Sequence, residues 1–176
     1  MTGHFPPTPS LERVVLSLGS NVGDRYDNLM KGIDAIARIP SVRVVARSPF
    51  YDTEPVGVDR QENFLNGVIV IETDLPPHTL LEECQRIETE IFQRVRSDRP
   101  LPRRLDIDII FFGDRIIRDD RLTIPHPRAH ERRFVLLPLA DIAPALRHPL
   151  RGTTIADLLR LAPENQQVKR LPPERT

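Results

Sequence analysis

The order of its apolar periodicities is what most limits how this chain can fold. "RVVLSL" (13–18), "VRVVARS" (42–48), "NFLNGVIVIET" (63–73) and the run 105–112 are rich in β-branched and apolar residues and read as strands. Between the first two, Leu29, Ile33 and Ile36 recur at helical spacing; Asp24 or Asp27 can cap that helix, which ends before Pro40. Between the last two, Pro76 and Pro77 open a second helix with Leu80, Cys84, Ile87 and Ile91 as its buried stripe. Strand, helix, strand, strand, helix, strand predicts an α+β, ferredoxin-like βαββαβ domain, an antiparallel sheet with both helices on one face. The remaining sequence predicts a C-terminal hairpin near 115–125, a short helix near 131–141 and another from about Thr154. Residues 1–11 and 163–176 are expected to be loose tails around one domain at 12–162. The stretch 49–62 is too long for a tight turn and predicts a functional loop.

Composition narrows the function. A length of 176 residues suits one domain, and 39% hydrophobic with 28% charged residues is ordinary for a globular protein. The formal net charge is zero, so no whole-molecule field draws the chain to nucleic acid or membranes, and neither is expected as a partner. Cys84 is the sole cysteine, which excludes an intrachain disulfide and a cysteine zinc cluster. With no secretory pattern in "MTGHFPPTPS" and no membrane-length apolar run, a cytoplasmic location is expected. All basic residues but Lys31 and Lys169 are arginines, the bidentate, permanently charged choice for phosphate.

"RRLDIDIIFF" (103–112) poses the sharpest chemical question. Asp106 and Asp108 are two apart on a strand and so share a face, where like charges repel and desolvation adds to the cost. Three compensations are open: ion pairs with Arg103, Arg104 or a neighbour; a general acid/base pair; or a divalent metal. A sugar site has no other support, since the chain lacks tryptophan and has few aromatics. Arg94, Arg96, Arg99, Arg103 and Arg104 precede the strand and Arg121, Arg132 and Arg133 follow it, a set that suits phosphates beside a carboxylate-bound Mg²⁺. The competing use of those arginines is an RNA- or phosphate-binding surface without catalysis; residues 93–104 contain no aromatic for base stacking. No G-x-x-x-x-G-K-[ST] loop is present. "SLGSNVGDR" reads mostly as a structural turn. Pro127 argues against one helix joining His126 to His130, so His126 is expected in a loop, on phosphate.

In order along the chain, "LSLGSNVGDR", "SPFYDTEPVG", "FLNGVIVIET", "RIE", "RVR", "PRRLDIDIIFFG" and "LTIPHPRAHERRFVLLPL" resemble the 6-hydroxymethyl-7,8-dihydropterin pyrophosphokinase family over about residues 13–160. The resemblance implies a ferredoxin-like α+β enzyme of folate biosynthesis. It would transfer pyrophosphate from ATP, the co-substrate, to a hydroxymethyl dihydropterin, releasing AMP with two Mg²⁺ ions. By position it implies that Asp106 and Asp108 hold the metal and that Arg94 and Arg103 act on phosphates during chemistry. Gln85, Glu88, Arg96, Ile109, Arg121, Thr123, His126 and Arg132 would bind ATP. Thr53, Val56, Phe64, Asn66 and Phe134 would bind the pterin, the two phenylalanines sandwiching its ring. A monomer is expected, and a slow, degenerate paralogue is the related alternative. Three departures stand out. Pro100-Leu101-Pro102-Arg103 occupies the place of the family's frequent Trp-Gly-Pro-Arg, Gln93 that of a usual glycine, and the segment Glu88–Arg94 is about one residue longer than the resemblance implies.

Overall fold

β1 (Glu12–Ser20) is an interior strand of the sheet in the computed structural model, which describes residues 10–55, 62–93, 101–164 and 166–172. It pairs antiparallel with β4 (Phe64–Thr73) on one side and β5 (Asp106–Phe112) on the other. β2 (Val42–Arg47) and β3 (Tyr51–Thr53) both pair antiparallel with β4, β2 along Ile69–Thr73 and β3 along Phe64–Asn66. The sheet order is β5-β1-β4-β3-β8, where β8 is Val168–Arg170. A separate hairpin, β6 (Ile117–Arg118) with β7 (Thr123–Ile124), matches the one expected near 115–125. The chain is therefore α+β with an antiparallel main sheet.

Both faces of the sheet are covered. α1 (Arg25–Ala37) is capped by Asp24, whose side chain accepts from the Asp27 N–H, and buries Leu29, Ile33 and Ile36. α2 (Pro77–Arg86) starts on Pro77, tolerated because a first-turn N–H has no intrahelical partner. It adds Leu80 and Cys84 to a core shared with α1, Leu16, Leu18, Ile69, Ile107 and Ile109. Full burial of each such side chain contributes about 1.5–3 kcal/mol. On the opposite face α3 (Arg133–Ile142) and α4 (Ile155–Leu161) pack Val135, Leu136, Leu139, Ile155 and Leu158 on Val15, Val68, Val70, Ile110 and Phe111.

Three expectations need correction. Ile91 is not in the buried stripe: it is 51% exposed and Phe92 is buried in its stead. Residues Ile87–Ile91 form a π-turn, closed by the Phe92 N–H on the Ile87 carbonyl, and the wider turn rotates the core stripe forward by one residue. The extra residue noticed between Glu88 and Arg94 has a place to be absorbed there. The stretch 49–62 is not all loop. After a break at Ser48–Phe50, where Ser48 Oγ takes the Val68 N–H at 2.9 Å, Tyr51–Thr53 rejoins β4 as β3. Finally, 163–176 is not uniformly a loose tail, because Val168–Arg170 pairs with β3. The expected tail at 1–9 lies outside the described residues.

Candidate active site

Strand alternation places Asp106 and Asp108 on the α3 side of the sheet, while Ile107 and Ile109 enter the α1/α2 core. The acids stand opposite Gly19 and Ser17 of β1. Farther along that face Ile110 and Phe111 lie under α3 and α4, so the acids sit where the helical cover stops. They line a cavity of about 260 Å³ together with Ser17, Gly19, Phe64, Asn66 and Phe134.

Each acid has a guanidinium. Arg103 Nη1 is 2.7 Å from Asp106 Oδ2, and Arg132 Nη1 is 3.5 Å from Asp108 Oδ2. The ion-pair reading of the two acids is thus realised. Both pairs are partly exposed, and such pairs contribute only about 0–1 kcal/mol, so they are easily exchanged for other partners. Arg103 is fixed through its backbone: its N–H donates to Asn21 Oδ1 at 2.7 Å, and its carbonyl accepts from the Asn21 N–H at 3.0 Å. Arg132 immediately precedes α3, and its guanidinium lies 5.5 Å from the Phe134 ring centroid.

Phe64 and Phe134 supply the aromatic lining of the same cavity, one from β4 and one from the first turn of α3. Asn66 is buried beside them and donates through Nδ2 to Thr53 Oγ1 at 2.6 Å. A Cβ on Gly19 would sit 2.6 Å from Asn66 Oδ1, so only glycine leaves room for that amide. The "LGSN" segment, which is the end of β1 plus Asn21, is more than a structural turn: Gly19 makes space for one polar group and Asn21 anchors an arginine. Both functions were invisible in the sequence because each depends on a distant partner.

The outer edge of β5 gathers a second group. Glu88, buried in the π-turn, accepts the Ile107 N–H at 2.7 Å. In an antiparallel ladder residues of like parity turn their peptide groups the same way, so Ile109 presents its backbone to that edge while its side chain packs in the core. His126 donates its N–H to the Ile110 carbonyl at 2.9 Å, and Arg121 reaches Glu82 of α2 at 2.8 Å. Thr123 and His126 line a separate depression with Arg118, Arg151, His130 and His148. Of the nucleotide positions expected, Arg132 therefore shares the acid cavity. Glu88, Ile109, Arg121, Thr123 and His126 are arranged around the neighbouring strand edge, and Gln85 is on α2, where its carbonyl accepts from Thr89 Oγ1 at 2.8 Å. Arg94, Arg96 and Val56 lie outside the described residues. His126 is in a loop as expected; burial, then Arg132 and Arg128, push its pKa down to about 4, so it is neutral at pH 7.

Among the described residues no three His, Cys, Asp or Glu are grouped to hold a metal. A two-carboxylate oxygen set does not suit structural zinc, which wants four protein ligands. It does fit Mg²⁺, which keeps waters and takes further ligands from substrate phosphates.

A family model described as 7,8-dihydro-6-hydroxymethylpterin-pyrophosphokinase (HPPK) matches residues 15–144. The chain belongs to this family. A 2-amino-4-hydroxy-6-hydroxymethyldihydropteridine pyrophosphokinase from Pseudomonas aeruginosa is 42% identical over 162 residues, 92% of this chain and 98% of the relative. One from Methylorubrum extorquens is 44% identical over 149 residues, 85% and 92% of the two chains. A crystal structure of Plasmodium falciparum HPPK-DHPS with STZ-DHP is similar in fold, with a TM-score of 0.68 at 16% identity. The match covers 88% of this chain and 46% of that longer one. The HPPK match takes in β1 from residue 15 onward and β2 to β7, and it includes both aspartates and both cavity phenylalanines.

Proposed function

We propose that this chain catalyses pyrophosphoryl transfer from ATP to 6-hydroxymethyl-7,8-dihydropterin in folate biosynthesis. The observation that carries the assignment is one cavity holding Asp106 and Asp108 at one side and Phe64, Asn66 and Phe134 at the other, in a chain of the pyrophosphokinase family. The hydroxymethyl oxygen attacks the β-phosphorus of ATP, the α–β bridging bond breaks, and AMP leaves with the bridging oxygen. The pterin diphosphate carries the new C–O–P bond, and the hydroxyl proton is lost to solvent.

The residues divide this work physically. Phe64 and Phe134 offer apolar faces to a flat heteroaromatic ring, and the Asn66 amide, oriented by Thr53, reads its polar edge. Asp106 and Asp108 would hold Mg²⁺, two ions in our reading, which supplies neutralisation of triphosphate charge and alignment of acceptor and donor. Arg103 and Arg132, each paired with one of the acids, are placed to turn to phosphate oxygens. We assign Gln85, Glu88, Ile109, Arg121, Thr123 and His126 to the nucleotide side along β5. A neutral His126 serves there as a hydrogen-bonding group rather than as a second cation. Arg94 and Arg96 complete the phosphate set in this scheme, and Val56 the pterin set.

We further read the order β5-β1-β4 with β2/β3, with α1 and α2 on one face, as the ferredoxin-like arrangement, residues 12–162 forming the catalytic domain. We take the working form to be a cytoplasmic monomer. The deciding assay follows AMP formed from ATP with and without hydroxymethyldihydropterin and with Mg²⁺ or a chelator. Pterin- and Mg²⁺-dependent AMP is expected; ADP as product, or AMP formed without pterin, would overturn the assignment.

A further inference from the structure

The segment after α4 lies beyond the family match, which ends at residue 144, yet it returns to the cavity. Three backbone links fasten it to the strand from which the 54–62 stretch departs. Val168 pairs with Thr53 in the β8–β3 ladder, Glu54 donates its N–H to the Gln167 carbonyl at 3.3 Å, and Leu171 donates to the Phe50 carbonyl at 2.9 Å. Gln166 then donates Nε2 to the Glu54 carbonyl at 3.0 Å and lines the same cavity as Asn66 and Phe134. The far end of the strap is held as well. Tyr51 donates to Asp141 Oδ2 of α3 at 2.6 Å, and Arg170 stands 3.8 Å from the other Asp141 oxygen. Burial, then that hydrogen bond, raises the Tyr51 pKa to about 12, so the phenol stays a donor.

This arrangement is more than edge protection. An exposed edge strand is blunted equally well by any short pairing segment, whatever its side chains. Here one amide side chain engages the backbone of Glu54, which with Thr53 and Pro55 forms the cavity wall facing Asn66. Thr53 in turn fixes the Asn66 amide. The Glu54 N–H belongs to the peptide joining it to Thr53 and its C=O to the peptide joining it to Pro55, so the strap holds one group of each plane, and the two together keep Thr53 Oγ1 where it meets Asn66.

We infer, resting on the pyrophosphokinase function proposed above, that the C-terminal strap is part of the pterin site and that Gln166 is a positioning residue for pterin recognition. It acts through Glu54 and Thr53 on Asn66 and has no part in ATP binding or in the transfer step.

The test compares full-length wild type with Gln166→Ala and Gln166→Glu. The glutamate is nearly isosteric but cannot donate to the Glu54 carbonyl. Measured for each are the dissociation constant for hydroxymethyldihydropterin alone, KM for both substrates, kcat, and the thermal midpoint. One lost hydrogen bond at about 1.4 kcal/mol corresponds to a tenfold change in affinity. Both variants are therefore expected to weaken pterin binding and raise pterin KM about tenfold, with ATP KM and kcat unchanged and the thermal midpoint lowered by no more than the loss of one hydrogen bond, about 0.5–1.5 kcal/mol, accounts for. Wild-type pterin affinity in Gln166→Glu would overturn the inference, because the donated hydrogen bond would then be dispensable. Equal changes in both KM values, or a fall in thermal midpoint with pterin affinity intact, would also overturn it and leave the strap a stability element only. Failure of the wild type to form AMP in a pterin-dependent way would sink the functional assignment itself, and the strap's role with it. That failure shows in the parent chain, whereas the strap's own failure shows only in the variants.

Discussion

Glu88 and Ile107 are joined by a 2.7 Å hydrogen bond from a backbone N–H to a buried carboxylate, across the edge of the strand that carries both aspartates. Ile107 lies between Asp106 and Asp108, so Glu88 fixes the peptide on which their spacing depends. Removing the acceptor leaves a buried donor unsatisfied, which costs about 1–3 kcal/mol. Glu88→Ala is expected to lower unfolding stability by about that amount in urea titrations. Glu88→Gln keeps an acceptor and should lose less than about 1 kcal/mol. Equal losses in the two variants would mean that the carboxylate's charge, not its hydrogen bond, matters.

Asp108 and Arg132 form the looser of the two acid–arginine pairs, at 3.5 Å, with the aspartate side chain 39% exposed. Asp108→Asn should therefore barely affect stability, by about 0–1 kcal/mol. Its effect on turnover should be large. A fall of about a thousandfold in AMP formation corresponds to about 4 kcal/mol of lost transition-state stabilisation. The comparison is kcat against thermal midpoint; a variant with near-normal turnover would reduce the acids to structural ion pairs.

Gly19 and Asn66 make a tighter test of the aromatic end. Gly19 does not have a positive φ, so alanine is acceptable to the backbone and harmful only through its Cβ, 2.6 Å from Asn66 Oδ1. Gly19→Ala should push the Asn66 amide off Thr53 Oγ1 and raise pterin KM about tenfold, the value of one good hydrogen bond at about 1.4 kcal/mol. ATP KM should stay within about twofold, a difference below 0.5 kcal/mol. If pterin KM is unchanged, Asn66 does not read the ring.

These particulars separate what a sequence can disclose from what it cannot. Strand periodicity alone placed Asp106 with Asp108, and Phe64 with Asn66, because a period of two depends on nothing beyond the strand itself. Helical spacing likewise found Leu29, Ile33 and Ile36. It named Ile91 where Phe92 is buried, since a π-turn breaks the 3.6-residue count without any glycine or proline to announce it. Asn21, Gly19 and Gln166 act through partners 82, 47 and 112 residues away, respectively. No local pattern could have disclosed them. Polar residues in a C-terminal stretch read as tail for the same reason: pairing with β3 is a property of the sheet edge, not of "VKR".

His126 gives a pH prediction with a definite sign. Burial, then Arg132 and Arg128, lower its pKa from 6.5 to about 4. The folded state therefore binds its proton less readily than the unfolded state. The neutral ring's contribution to stability is full above pH 6.5 and is lost as pH falls from about 6.5 toward 4. His148, buried and also lowered, adds to the loss in the same direction. Thermal midpoints measured from pH 7.5 to 4.5 should fall more steeply for wild type than for His126→Gln. Parallel curves would show that His126 keeps its ordinary affinity for protons when folded.

Gln93 closes the set, because it stands where the family resemblance implies a glycine and has φ of 53°. A non-glycine residue in the left-handed region carries about 1–2 kcal/mol of steric cost, from Cβ against the backbone. Glycine removes that cost, but gives back about 0.5–1 kcal/mol through the freedom of its unfolded chain. Gln93→Gly is thus expected to stabilise the protein by about 0.5–1 kcal/mol, the difference of the two terms. Gln93→Val, β-branched at the same φ, should destabilise it by more than that. Urea unfolding of the two variants beside wild type tests the sign in each direction. If glycine fails to stabilise and valine is tolerated, residue 93 does not hold a left-handed conformation in solution.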